Sequence, residues 1–227
     1  MITLGIDTTA KSCSVGIVRD DEIIADFAVN CTLEHSEKLL PMIGLALSNC
    51  KLEIDDVDIF ALSVGPGSFT GVRIGVATVK GLAFGRNKPC VALSSLEILA
   101  KGAQAFYPDS IICPIMDSRH NSFYNALFKN GKRLCDDRCI DIDELKVELD
   151  SVNERIVFVG DGCSICNKLM GDDRMVANDL LKYPHGYIAA QLGKEKYSSE
   201  PDGDYSDLSL APVYLRSSQA ERTKEFG

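Results

Sequence analysis

Short apolar runs alternate with polar breaks along the chain, and the periods of those runs assign most of its elements. In "ITLGIDTTAKSCSVGIV", Ile2 to Val18, an apolar run ends at Asp7, a polar turn follows, and Val15 and Ile17 recur with period two. That is the pattern of a β-hairpin with an acidic corner. The stretch "ICPIMDSRHNSFYNALF", Ile112 to Phe128, repeats it at an offset of 110 residues: Asp7 falls on Asp117, Thr8 on Ser118 and Ser12 on Ser122, with Ala126 and Phe128 as the alternating pair. A second echo follows in the same order. "FALSVGPGS" around Gly65 and "IVFVGDGCS" around Gly160 are each an apolar strand that breaks at Gly-x-Gly before a helix. Together they predict a duplicated α/β unit of hairpin, further strand, helix, strand, Gly-x-Gly turn and helix. The expected halves are residues 1–108, closing near "AFYPDS", and a smaller 109–227, whose unit runs to about 195 before the polar "SSEPDGDYSD" and the tail.

Two helix-like runs are unusually apolar. From Gly71 to Arg86 the only charges are Arg73, Lys80 and Arg86. Val72, Val76, Val79 and Ala83 recur at helical spacing, a stripe suited to the chain's own sheet. Gly71, Gly75, Thr78 and Leu82 form a second face, where missing side chains would let another helix approach. The run "HSEKLLPMIGLALSNC" is apolar nearly all round from Leu39 to Leu47, with Pro41 as a kink or first-turn marker. Side by side, the two predict an exposed apolar patch with Leu39, Ile43, Gly71, Val72, Gly75, Thr78 and Leu82 as its contact residues. The alternative is that the second lobe or the tail covers them.

Composition narrows the function classes. The 227 residues, 45% of them hydrophobic, suffice for an ordinary core. No apolar stretch is long enough for a membrane span and the N-terminus has no signal-like core, so a cytoplasmic protein is expected. The formal net charge of -9 disfavours direct nucleic-acid binding; "KGLAFGRNK", with Lys80, Arg86 and Lys88, is the one mild basic patch. Among nine cysteines, Cys135 and Cys139 followed by Cys163 and Cys166 are loosely zinc-like, against a default of incidental reduced thiols.

The stretch "SVGPGSFTGVRIG" looks like a phosphate loop and is not one. Val72 and Arg73 follow Gly71 where a Walker loop needs Lys and Ser or Thr, and Gly65, Gly67 and Gly71 miss the dinucleotide spacing. What remains of Gly65, Pro66, Gly67, Ser68 and Thr70 is a tight turn that launches a helix, with Ser68 or Thr70 as its cap and free N–H groups able to receive an anion. The three histidines, His35, His120 and His185, have no ligand spacing and are expected at the surface or at caps. Asp7 and Thr8 with Asp117 are the best polar set: either the two corners hold a magnesium nucleotide between them, or each aspartate ties down its own turn.

"GIDTT", "HSEKLLP", "SVGPGSFTGVRIG" and the late "PVYLR" resemble the TsaB (YeaZ) family of the bacterial threonylcarbamoyladenosine tRNA-modification system. The resemblance implies a duplicated two-lobed fold of the actin, chaperone and sugar-kinase superfamily with an abbreviated second lobe. It implies a non-catalytic subunit that dimerises with TsaD and supports threonylcarbamoyl transfer to the adenosine beside the anticodon. TsaE would join a larger complex, tRNA would be met only through that complex, and a homodimer would form when the chain is alone. No cofactor of its own is expected; ATP or ADP near the partner interface is the nucleotide the resemblance admits. TsaD carries a metal on a His-x-x-x-His pair, and counting along "PCVALSSLEIL" puts Ser95 and Leu99 at those positions. Neither side chain suits a transition metal. The competing reading is an independent enzyme, an actin-fold ATPase or kinase, or a glycoprotease, the last opposed by the missing ligands.

Overall fold

The computed structural model describes residues 1–30, 34–171 and 173–216. Five strands, β1 (Ile2–Asp7), β2 (Ser12–Arg19), β3 (Glu22–Asn30), β4 (Ile59–Ser63) and β5 (Cys90–Leu93), form a sheet in the order β3-β2-β1-β4-β5. The β1–β2–β3 meander is antiparallel, whereas β4 and β5 run parallel to β1. Helices α1 (His35–Asn49) and α2 (Phe69–Ala83) cover one face: Leu39, Ile43, Val72 and Val79 pack on Leu4, Ile6, Phe60 and Leu62. The Val72, Val76, Val79 and Ala83 stripe does what its spacing predicts, because all four are buried there.

Helix α3 (Ser95–Gln104) leads to the second sheet. Its central β6 (Ile111–Asp117) pairs antiparallel with β7 (Ser122–Asn125) and parallel with β11 (Ile156–Val159). The short β8 (Phe128–Lys129), β9 (Lys132–Arg133) and β10 (Arg138–Asp141) complete it, and α4 (Ile142–Asp150) and α5 (Cys163–Met170) pack on one face. The duplication is therefore present element for element, and among the described residues β5 has no counterpart in the second sheet. One detail differs. The second hairpin strand stops at Asn125 and resumes at Phe128, so Ala126 and Phe128 are not one alternating strand.

A single hydrophobic layer joins the lobes. Leu96, Leu99, Ala100 and Ala103 of α3 pack against Ile112, Met116 and Val157 of the second sheet, while Ile98 packs against Ile59 and Val91 of the first. Each fully buried leucine contributes about 1.5–3 kcal/mol.

The expected second half, 109–227, does not stay with the second sheet. Helix α6 (Gly186–Ser199) returns to the first, where Ile188, Ala189 and Leu192 cover Ile59, Ala61 and Val91. The contact is backbone-close: a Cβ on Gly5 would lie 2.0 Å from the Gly186 carbonyl oxygen, and one on Gly16 2.1 Å from the Tyr187 nitrogen. The physical reason is that α1 and α2 cover only one face of the first sheet. The other face is closed by a helix whose buried side is mostly small residues, Gly186, Ala189, Ala190 and Gly193, and which carries no strong apolar stripe. The segment beyond continues on the first lobe at least to Leu210: the Cys90 N–H donates to the Tyr205 carbonyl at 2.8 Å, and Leu210 is buried in that core.

Candidate functional site

Three places carry the residues singled out by sequence: the strand corners, the glycine loop and the outer face of α1 and α2. At the first corner, Asp7 is fully buried; its Oδ1 accepts from the Thr9 N–H at 3.1 Å and its Oδ2 from the Thr9 hydroxyl at 2.8 Å. Burial raises the Asp7 carboxyl from 3.8 to about 6, although the bonds from Thr9 pull the other way. The Thr8 hydroxyl donates to the Gly71 carbonyl at 2.7 Å. At the second corner, Asp117 is exposed and its Oδ1 accepts from the Arg119 N–H at 2.7 Å.

The two aspartates do not face one another. Asp7 shares its strand face with Gly5, under α6, whereas Asp117 alternates with Cys113 and Ile115, which pack under α4 and α5. An offset of 110 residues thus superimposes positions on opposite sheet faces. In the structure each aspartate bonds within its own turn. His35 is also not at the surface. It is buried, with Nε2 3.1 Å from the Ala10 carbonyl and 3.2 Å from that of Ser12, which ties the start of α1 to the first corner. The "HSEKLLP" motif gave no sign of this use.

The glycine loop is a turn that must fold back on itself. Gly65 has φ of 120°, and its counterpart Gly160 has 125°, a region closed to most residues with a Cβ. Ser68 is the cap of α2, accepting from the Gly71 N–H at 3.2 Å, while Thr70 stands exposed in the first turn. The buried Pro66 presents its carbonyl to the Ser95 hydroxyl, and the Gly65 carbonyl accepts from the Ser95 N–H at 2.9 Å. Ser95 thus buttresses the loop, and Leu99, one turn on, sits in the layer between the lobes. These two positions are filled for packing and do not fit a metal.

Cys163 and Cys166 lie with Cys113 in the core of the second lobe. Burial pushes all three thiols up, Cys166 to about 12. Cys139 instead lies 3.4 Å from the Ser118 hydroxyl, and Cys135 is only partly buried. Among the described residues, no three His, Cys, Asp or Glu side chains are grouped to hold a metal.

The expected docking residues are mostly turned inward. Leu39, Ile43 and Val72 are core residues. A Cβ on Gly71 would lie 1.9 Å from the Thr8 carbonyl oxygen, and one on Gly75 2.6 Å from the Thr8 hydroxyl and 3.0 Å from Leu62 Cδ1. What comes close to these glycines is the chain's own corner, which explains why they are bare; Thr78 and Leu82 are half-buried. The outward ridge has other members. Leu40 is 54% exposed and Leu45 51% on α1, with Phe84 77% exposed just beyond α2. On the same two helices Gly44 and Gly81 face open space, and Ala77 is exposed. The tail as far as Arg216 covers one flank of α2, where Arg73 Nε donates to the Tyr214 hydroxyl at 2.8 Å, and among the described residues nothing buries Leu40, Leu45 or Phe84.

Sequence relatives decide the family. The TsaB protein of Bacillus subtilis is 31% identical over 97% of this chain and 96% of its own length. The chain belongs to the TsaB family. Residues 30–199 also match the family model described as TsaD, tRNA N6-adenosine threonylcarbamoyltransferase, so the TsaB family shares its core with that transferase family. The crystal structure of a Pseudomonas aeruginosa protein described as similar to peptidase YeaZ superposes with a TM-score of 0.82 at 25% identity, covering 95% of this chain and 99% of that one. At the level of fold alone, component A of the Acidaminococcus fermentans (R)-2-hydroxyglutaryl-CoA dehydratase matches with a TM-score of 0.54 at 13% identity, over 87% and 99% of the two chains. The TsaB fold seen here is the actin-like, sugar-kinase type.

Proposed function

We propose that this chain is a non-catalytic subunit of threonylcarbamoyladenosine formation in tRNA, which docks a TsaD-type transferase through the ridge of α1 and α2. The observation that carries the reading is that outer surface: Leu40, Leu45 and Phe84 are more than half exposed, and Gly44 and Gly81 on the same two helices face open space. Glycines in a helix cost about 1 kcal/mol each relative to alanine, and close helix–helix approach by a partner gives Gly44 and Gly81 a use. Ser95 and Leu99 support the non-catalytic part, since their side chains serve the loop and the core. Transfer chemistry is then the partner's, and the same ridge would hold a homodimer when the partner is absent. TsaE and ATP or ADP belong to the assembled complex in this reading, because Asp7 and Thr8 are engaged within the lobe.

The test is to mix the chain with the TsaD-type protein of its own organism and measure co-elution. Wild-type protein is expected to form a complex, and Leu45→Asp and Gly81→Leu are expected to lose it with unchanged circular dichroism. Wild-type co-elution by both folded variants overturns the ridge. ATP hydrolysis or about one bound metal per purified chain would favour the independent-enzyme reading instead.

A further inference from the structure

The motif "PVYLR" at residues 212–216 takes no part in the docking ridge or the corners' own hydrogen bonds, yet it touches both lobes. We propose that residues 210–216 are a latch, with Arg216 as its bolt, that fastens the second-lobe corner to the glycine loop of the first lobe.

The first-lobe end is anchored at successive points. Leu210 is buried in the first-lobe core. The Val213 N–H donates to the Val64 carbonyl at 2.8 Å, and the Val213 carbonyl oxygen sits 2.5 Å from where a Cβ on Gly65 would be. A side chain at Gly65 would therefore exclude the strap as well as strain the turn. The Tyr214 ring lies on Phe69 with centroids 4.7 Å apart, its hydroxyl accepts from Arg73, and the Arg73 guanidinium lies 3.7 Å from the centroid of the Phe69 ring.

Arg216 then crosses to the other lobe. Its Nη1 donates to the Ser118 carbonyl at 2.7 Å and to the Arg119 carbonyl at 2.9 Å, with the Ser118 hydroxyl at 3.5 Å. The acceptors belong to a corner in which Arg119, His120 and Asn121 all have positive φ, of 68°, 55° and 58°. Three successive residues with a Cβ rarely adopt that conformation, and it persists only when surroundings hold it. Besides Arg216, the corner is held by the Arg119 N–H on Asp117, by the Ile142 N–H on the Asn121 carbonyl at 3.0 Å, and across its own turn by the Ser118 N–H on the Ser122 carbonyl at 3.2 Å and the Ser122 N–H on the Arg119 carbonyl at 3.3 Å. Both carbonyls accept from one nitrogen, Nη1, whose two hydrogens can serve one acceptor each. Because the acceptors are dipoles and not carboxylates, added salt weakens the latch little.

The test is hydrogen exchange on the full chain for wild type, Arg216→Ala, Arg216→Lys and Tyr214→Ala. For Arg216→Ala, amides of 118–122 are expected to exchange at least about tenfold faster while β1, β2 and α1 keep wild-type rates; the lysine variant falls between. Tyr214→Ala is expected to loosen 118–122 too, although Tyr214 bonds only first-lobe groups, because it releases the strap that carries Arg216. Wild-type exchange at 118–122 in Arg216→Ala overturns the latch. So does a Tyr214→Ala effect confined to 69–73, or a uniform rise across the chain, which would mark general destabilisation.

Discussion

At the scale of single residues, Asp7 shows how one side chain can be read correctly in place and wrongly in role. Its position at a strand end and its hydrogen bonds with Thr9 follow from the local sequence, since aspartate commonly bonds the backbone two residues on. Its complete burial follows from α6, nearly 180 residues later in the chain. The raised carboxyl gives a pH signature. The folded group titrates near 6 and the unfolded one near 3.8, so the unfolded state gives up its proton first as pH rises. Stability from this site is complete below about pH 3.8 and is lost as pH climbs through 6. The shift corresponds to roughly 3 kcal/mol at most. Asp7→Asn keeps the shape and removes the titration. Its melting temperature relative to wild type is expected to rise between pH 4 and pH 6.5 and then level off; a constant difference across that range would show that Asp7 ionises freely in the fold.

At the scale of elements, α2 carries two kinds of glycine that sequence alone does not separate. Gly75 faces Thr8 and Leu62, whereas Gly81 faces open space. The same substitution should therefore have opposite signs. Gly81→Ala is expected to stabilise by about 0.5–1 kcal/mol through helix propensity, and Gly75→Ala to destabilise by about 1–3 kcal/mol through overpacking against the corner. Urea midpoints at constant m-value decide this; a stabilised Gly75→Ala protein would mean that the corner yields without cost. A bulky residue at Gly75 is thus a poor probe of docking, because it strikes the chain's own fold first. Leu45 and Gly81 are the clean probes.

At the scale of the whole molecule, the acidic balance sets what the chain can meet unaided. With a net charge of -9, contact with a polyanion requires a local basic surface. The mild patch expected from Lys80, Arg86 and Lys88 is partly spent: Arg86 Nε pairs with Asp55 at 2.7 Å, Lys88 Nζ reaches the Asp55 carbonyl at 3.2 Å, and Lys80 Nζ the Leu208 carbonyl at 3.5 Å. Filter binding at physiological salt is expected to give a tRNA dissociation constant of about 1 µM or weaker for the isolated chain. Nanomolar binding would show that these groups, or others, face the nucleic acid together.

The sequence by itself determined the repeated α/β units, the Gly-x-Gly turns, the inward stripe of α2 and the family motifs. All of these depend on local periods and on backbone conformations that few residues can adopt. It did not determine which face of a helix is free. Gly71 and Gly75 are bare because the Thr8 corner presses on them, whereas among the described residues nothing lies within 4 Å of a Cβ at Gly44 or Gly81, and in the sequence all four are simply glycines in an apolar run. Nor did it place α6 and the 210–216 strap on the first lobe, since those contacts join residues far apart in the chain through backbone proximity at Gly5, Gly16 and Gly65. Only the tertiary structure decided them, because a period of 2 or 3.6 residues records which side chains share a face and carries no information on what that face meets.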